Sequence, residues 1–166
     1  MSEDPTSKRL PLPQCVIREM VETDRDLVFG TYLKHAFNCF AFRNMKQAAF
    51  ANYGARLLEK LLKRSTVFVA ESRVDGALLG YAICERPFSN IEHVVLHFVY
   101  VKDRYRQNRL CAKLIEVVKG IDPAKSTLFT THMNPTWWLL SKYITNVYNP
   151  FLLCPEYQTD RKEPTP

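Results

Sequence analysis

VVLHFVYVKDRYRQNRLCAKLIEVV, residues 94–118, decides how this chain folds. An apolar run over 94–101, interrupted only by His97, ends at a basic turn, and an amphipathic segment follows at once. The run is rich in Val and aromatics, is too short to cross a membrane, and has almost no polar face. It predicts a strand covered on both sides in the middle of a sheet. Past the turn, Leu110, Leu114, Ile115, Val117 and Val118 recur at helical spacing, with Lys113, Glu116 and Lys119 off that face. Arg104, Arg106 and Arg109 crowd the strand-to-helix turn. The first turn of a helix leaves backbone N–H groups unpaired and a partial positive charge exposed, so such a turn is a ready anion site, most often for phosphate. An ordinary βα unit with a solvated basic turn shows the same pattern.

The segment VYVKDRYRQNRLCAKLI resembles the cofactor-binding motif of the GCN5-related N-acetyltransferases. That motif is a strand ending in Val, a turn carrying Tyr-Arg, then Arg/Gln-x-x-Gly-x-Gly/Ala opening a helix. Val101 matches the strand-end Val, Tyr105 and Arg106 the Tyr-Arg, and Arg106 also opens the hexapeptide. Arg109 stands where the first Gly is expected and Cys111 where the Gly or Ala is. Glycine serves there by letting backbone approach phosphate and by adopting unusual φ/ψ freely; Arg109 either substitutes a charged fork or fills the site. The resemblance implies acetyl-coenzyme A as cosubstrate, with no metal. The implied contacts come from Val99, Tyr100 and Val101 on the strand, from Arg106, Gln107, Asn108, Arg109, Leu110 and Cys111 in the turn, and from Asn134 further on.

The remaining composition frames this reading. A chain of 166 residues, 46% hydrophobic and 24% charged, is expected to form one globular domain. Residues 14–155 are read as that domain, between flexible polar tails over 1–13 and 156–166. No apolar run approaches a membrane span, and the polar start MSEDPTSKRLPLP has no signal-like apolar core. The five cysteines (Cys15, Cys39, Cys84, Cys111, Cys154) are odd in number and scattered without a CxxC pair, which favours reduced thiols in a cytoplasm. The net charge of +6 favours an anionic partner, which coenzyme A itself is, or simply solubility. Nucleic acid is permitted by the charge, and no motif supports it. Compact, divergent chains of this type resemble phage or prophage proteins, which would place the activity in a host cytoplasm, as monomer or homodimer.

Around the central segment, the pattern predicts a strand over 14–20 and a helix capped by Thr23 or Asp24 and ending near 35–38. A longer helix opens at Asn44, strands follow at 66–71 and 78–85 around a Val74-Asp75-Gly76 turn, and another strand spans 127–131. Asn134-Pro135 starts an aromatic helix with Trp137, Trp138, Leu140 and Tyr143, and 147–153 is read as a last short strand. The resemblance covers 14–153 in element order and 99–114 in motif. It implies an α+β fold, layered α/β/α, with a mixed, mostly antiparallel sheet of about six to seven strands and helices on both faces.

Acyl transfer to an amine needs a polarised carbonyl, a base for the amine and an acid for the thiolate. In the resembled family, backbone N–H on the central strand, here near Val99–Val101, holds the carbonyl. A Glu or His on that strand often takes the proton. His97 stands four residues before the strand-end Val, and its unperturbed pKa is in the useful range; a core histidine with a satisfied hydrogen bond looks the same in sequence. Glu92 and Glu85 are fallback bases. For the acid, the family uses a Tyr seven residues beyond a helix-opening Asn. Asn134 matches the Asn, Ser141 occupies the Tyr position and Tyr143 follows two residues later, which on a helix is a wide rotation. His93, His97 and His132 lack the spacing of a metal site. Three functions remain open: an acyltransferase acting on an amine of a small molecule or protein, a binding module on the same scaffold without turnover, and a nucleic-acid-directed modifying protein.

Overall fold

The computed structural model describes residues 11–42, 44–85, 93–106, 108–120, 127–133 and 146–153. A six-stranded sheet runs in chain order through β1 (Cys15–Glu19), β2 (Thr66–Ser72), β3 (Leu78–Glu85), β4 (His93–Val101), β5 (Thr127–Thr130) and β6 (Asn146–Tyr148). The first three pairings are antiparallel, and β4–β5 and β5–β6 are parallel. Helices α1 (Arg25–Ala36) and α2 (Gln47–Arg64) link β1 to β2, and α3 (Leu110–Lys119) links β4 to β5.

The two faces are packed by different helices. On one, α1 and α2 bury Val28, Tyr32, Phe50, Leu58 and Leu61 against Val67, Val69, Tyr81, Ile83 and Phe98 of the sheet. On the other, Leu110, Leu114, Ile115 and Val118 of α3 meet Ala70, Leu79, Ala82, Val94 and Leu96. β4 is thus covered on both sides, as its unbroken hydrophobicity predicts. Its alternation is interrupted, however. Ile83 pairs with Phe98 and Cys84 with Leu96, leaving His97 as the extra residue of a β-bulge. Val94 and Leu96 therefore face α3, while Phe98 and Tyr100 face α1 and α2. Nothing in the apolar run signals this inversion.

Close approach explains one glycine. A Cβ on Gly80 would lie 2.5 Å from the Tyr100 carbonyl oxygen, so any side chain there would push β3 from β4.

Several local expectations are adjusted. The second helix starts at Gln47, with Asn44 in the preceding turn. Asp24 makes no side-chain cap to α1; its carboxylate instead accepts the Val21 N–H at 2.9 Å and pairs with Arg18 at 2.7 Å. The expected last strand is only three residues, Asn146–Tyr148, and Pro150–Leu153 form a 3-10 turn, which proline and the Asn149 side chain on the Phe151 N–H favour. Leu12, assigned by sequence to the flexible tail, packs beside the α3-face core. The aromatic helix expected after Asn134, the loop at Pro87 and the tail over 156–166 lie outside the described residues.

Candidate functional site

β4 and β5 part company halfway. Their pairing ends at Leu96–Thr130, with the Thr131 N–H still reaching the Leu96 carbonyl at 3.3 Å, while β4 continues to Val101. On the other side, the Lys102 N–H donates to Leu79 O at 2.9 Å. By alternation along this antiparallel pair, the N–H groups of Val99 and Val101 face the edge that β5 has left. Backbone donors on a strand edge past the end of its pairing with the neighbouring strand can polarise a carbonyl.

The strand runs directly into the basic turn. Asp103–Tyr105 form a 3-10 turn, and Arg106 is held twice: its Nε donates to Val101 O at 3.2 Å and a terminal nitrogen pairs with Asp103 at 2.7 Å. The Arg104 guanidinium lies 5.0 Å over the Tyr105 ring. The end of α1 reaches this region too, since His35 stacks on Tyr100 at 5.0 Å; burial, then the nearby Arg106 charge, lowers its pKa. Arg109 caps α3 in the left-handed conformation, φ 59° and ψ 10°, the sole positive-φ non-glycine among the described residues. The position where the resembled motif carries glycine thus has a glycine's backbone with an exposed guanidinium attached. Leu110 is buried core, and burial pushes the Cys111 thiol up to about 11, which suits packing rather than nucleophilic chemistry.

His97 is fully buried. Its Nε2 lies 2.9 Å from Glu85 Oε2 and its Nδ1 lies 3.1 Å from Thr131 Oγ1. Glu85 is paired in turn with Arg64 Nε at 3.1 Å, and Arg64 also donates to the Leu152 and Leu153 carbonyls. Burial lowers the His97 pKa, and the Glu85 carboxylate opposes that shift. Beyond Thr131, His132 Nδ1 lies 2.9 Å from Oγ1 and its Nε2 2.9 Å from Tyr32 Oη. Burial drives the His132 pKa down to about 3.

The structure therefore brings His97 and Glu85 together. Glu92, Gln107, Asn134 and Tyr143 lie outside the described residues. His97 and His132 are joined through a hydroxyl, and among the described residues no group of three His, Cys, Asp or Glu could hold a metal ion. Sequence reasoning missed Tyr32, Arg64 and Thr131. The consecutive Thr131-His132 at a strand end was the available hint; the helical partners gave none.

No family model matches the sequence, and no curated protein does. Solved structures do match. A ribosomal-protein-alanine N-acetyltransferase from Brucella melitensis biovar Abortus 2308 superposes with TM-score 0.52 at 19% identity, covering 79% of this chain and 91% of that one. An acetyltransferase candidate from Clostridium difficile 630 gives 0.54 at 14% identity over 81% and 93%. One from Pyrococcus furiosus gives 0.53 at 13% identity over 92% and 97%. The fold is that of the GCN5-related N-acetyltransferases: an open mixed sheet of six strands with helices on both faces. At this identity the likeness speaks for the fold alone.

Proposed function

We propose that this chain is an acyl-coenzyme A-dependent N-acyltransferase, moving an acetyl group to an amine of a small molecule or protein. The observation that carries it is the parting of β4 from β5 beside the Val99 and Val101 N–H groups, continuous with the left-handed Arg109 that opens α3. The residues present fit the cosubstrate. The amides of the first turn of α3 and the Arg109 guanidinium are donors for a pyrophosphate. The Val99–Val101 edge offers N–H groups to a carbonyl. When bound, acetyl-coenzyme A supplies an activated acyl group as a thioester. We place the protein in a reducing cytoplasm, where the scattered cysteines Cys15, Cys39, Cys84 and Cys111 would not be cross-linked.

One observation favours the second reading, a scaffold that binds without turnover. Arg106 is already engaged by Asp103 and Val101, leaving Arg109 the principal charged donor in the turn.

Thermal denaturation with acetyl-coenzyme A tests the proposal, since a ligand binding only the native state must raise Tm. A Tm that does not move with saturating ligand removes the enzyme reading. Restoring the family's motif with Arg109→Gly and Cys111→Gly sharpens it. A working Arg109 predicts weaker binding by the double variant, and an obstructing one predicts tighter binding.

A further inference from the structure

The polar groups around His97 form a chain whose proton positions are fixed by its ends. The Glu85 carboxylate, paired with Arg64, only accepts, so the His97 Nε2 must carry the proton shared with it. The neutral ring then leaves Nδ1 as an acceptor, which the Thr131 hydroxyl must fill. That hydroxyl has one proton, so His132 Nδ1 must donate to Thr131 Oγ1, and His132 Nε2 must accept from Tyr32. Each of these contacts lies between 2.9 and 3.1 Å, shorter than the 3.4 Å from Thr131 Oγ1 to the His97 carbonyl, which competes for the same hydroxyl proton. All hydrogen bonds point one way, from α1 across the end of β5 and the bulge of β4 to the end of β3.

We infer that His132 is the entry and Thr131 the connecting hydroxyl of a proton relay ending on Glu85, in which His97 is the inner link rather than the base that meets the substrate. The inference rests on the acyltransferase reading above. His97 has no exposed surface, so it takes no proton directly from a substrate; of the two imidazoles in this hydrogen-bonded set, His132, at 6%, is the one with surface left. It sits two residues past the last β5 residue, where the strands separate. The step balances. The ammonium N–H bond breaks and a proton bonds to His132 Nε2, while the Tyr32 hydroxyl rotates from donor to acceptor. His132 passes its Nδ1 proton to Thr131, Thr131 passes its own to His97 Nδ1, and the His97 Nε2 proton forms an O–H bond on Glu85. The amine becomes neutral and Glu85 becomes a carboxylic acid. Arg64 keeps the Leu152 and Leu153 carbonyls as partners when Glu85 loses its charge.

The surroundings favour handing charge on over holding it. Arg64 and Glu85 face His97, while Cys39, Tyr53 and Tyr81 face Tyr32. Burial opposes a charged imidazole at both histidines. A relay in which no ring stays protonated avoids that cost.

The test combines ring spectroscopy with kinetics on the full chain. In the wild type, 15N NMR should show His97 protonated on Nε2 and His132 on Nδ1; Thr131→Val should leave His97 on Nε2, where Glu85 holds the proton, and release His132 from its Nδ1 preference. With acetyl-coenzyme A and spermidine or an alanine-terminated peptide, Thr131→Val should lower kcat at least tenfold and flatten the acid limb of the pH profile. Its KM for acetyl-coenzyme A should stay unchanged, and Thr131→Ser should restore the rate. The opposite tautomers, or a Thr131→Val enzyme with the wild-type pH profile, would overturn the relay. The wild-type spectra decide the tautomers even where Thr131→Val does not fold. Failure of acetyl-coenzyme A to raise Tm overturns the acyltransferase reading and the relay's catalytic role with it, and is distinguishable from wrong tautomers.

Discussion

The two faces of the sheet solve different problems. The α3 face is almost wholly aliphatic, with Leu79, Val94, Leu96, Leu110, Leu114, Ile115, Val118 and Leu128 buried together. The α1/α2 face is aromatic, with Tyr32, Phe42, Phe50, Tyr81 and Phe98, and three of these rings surround His132, which the Thr131 hydroxyl joins to His97. Aliphatic burial stabilises through area alone and tolerates any arrangement that fills the space. An aromatic face with phenols and imidazoles must also satisfy every polar atom it buries. The first face holds α3 and the basic turn in place. The second keeps a directed set of hydrogen bonds that pure packing would not need.

This contrast is sharpest under truncation. Leu114 is fully buried in the α3-face core, so Leu114→Ala should cost ~2–5 kcal/mol in denaturant unfolding. It should leave the pH dependence of stability untouched. A loss under ~1 kcal/mol would mean that α3 is less firmly docked than its burial implies.

On the other face the losses should be smaller and of another kind. Tyr32→Phe keeps the ring contacts with Phe98 and His132 and removes only the hydroxyl that fills His132 Nε2. An orphaned buried acceptor should cost ~1–3 kcal/mol. Equal stability of the variant and wild type would show that another donor takes over that nitrogen.

Much of this fold was legible because its signals are local. The 94–118 segment gave the central strand, the turn and α3 through hydrophobic periodicity alone, and the resemblance added a mixed, mostly antiparallel sheet, while the order of its strands came only with the structure. The 3-10 turn at Pro150–Leu153 was missed because a short apolar run does not distinguish a strand from a turn. The site was legible only in part. His97 and Glu85 could be named, yet their contact depends on a bulge that an all-apolar strand conceals. Tyr32 and His132 are a hundred residues apart in sequence, and only the tertiary fold places them together.

The acid side of the stability curve separates the faces again. Unfolded histidine titrates near 6.5, whereas burial holds His132 near 3 and keeps His97 low as well. As pH falls below 6.5, the unfolded chain takes up protons that the native rings refuse. Their contribution is complete above 6.5 and is lost as pH falls toward the native values, with a slope approaching ~1.4 kcal/mol per pH unit for each ring. Asp24, whose pKa Arg18 holds below 3.8, adds acid sensitivity only at the bottom of this window. Replacing His132 by Gln should therefore flatten the curve between pH 4 and 6. A slope unchanged in that variant would mean that His132 is protonated in the native state.

The smallest effect belongs to the turn on the aliphatic side, where Arg109 supports two features at once. Its left-handed backbone costs an L-residue ~1–2 kcal/mol, part of which glycine would return against its own larger unfolded-state entropy. Arg109→Gly should thus raise stability by roughly 0.5–1 kcal/mol, while Arg109→Ala, which keeps the strain, should leave it level or slightly lower. Affinity for coenzyme A should move differently: both variants lose the guanidinium, and binding should weaken by ~1–3 kcal/mol in each, less at high salt. The pairing is diagnostic because backbone and side chain are separated. Glycine that gains stability and loses affinity assigns the shape of the turn to the backbone and its grip on the anion to the guanidinium. If glycine binds as well as arginine, the amides of α3 suffice and Arg109 only shields them.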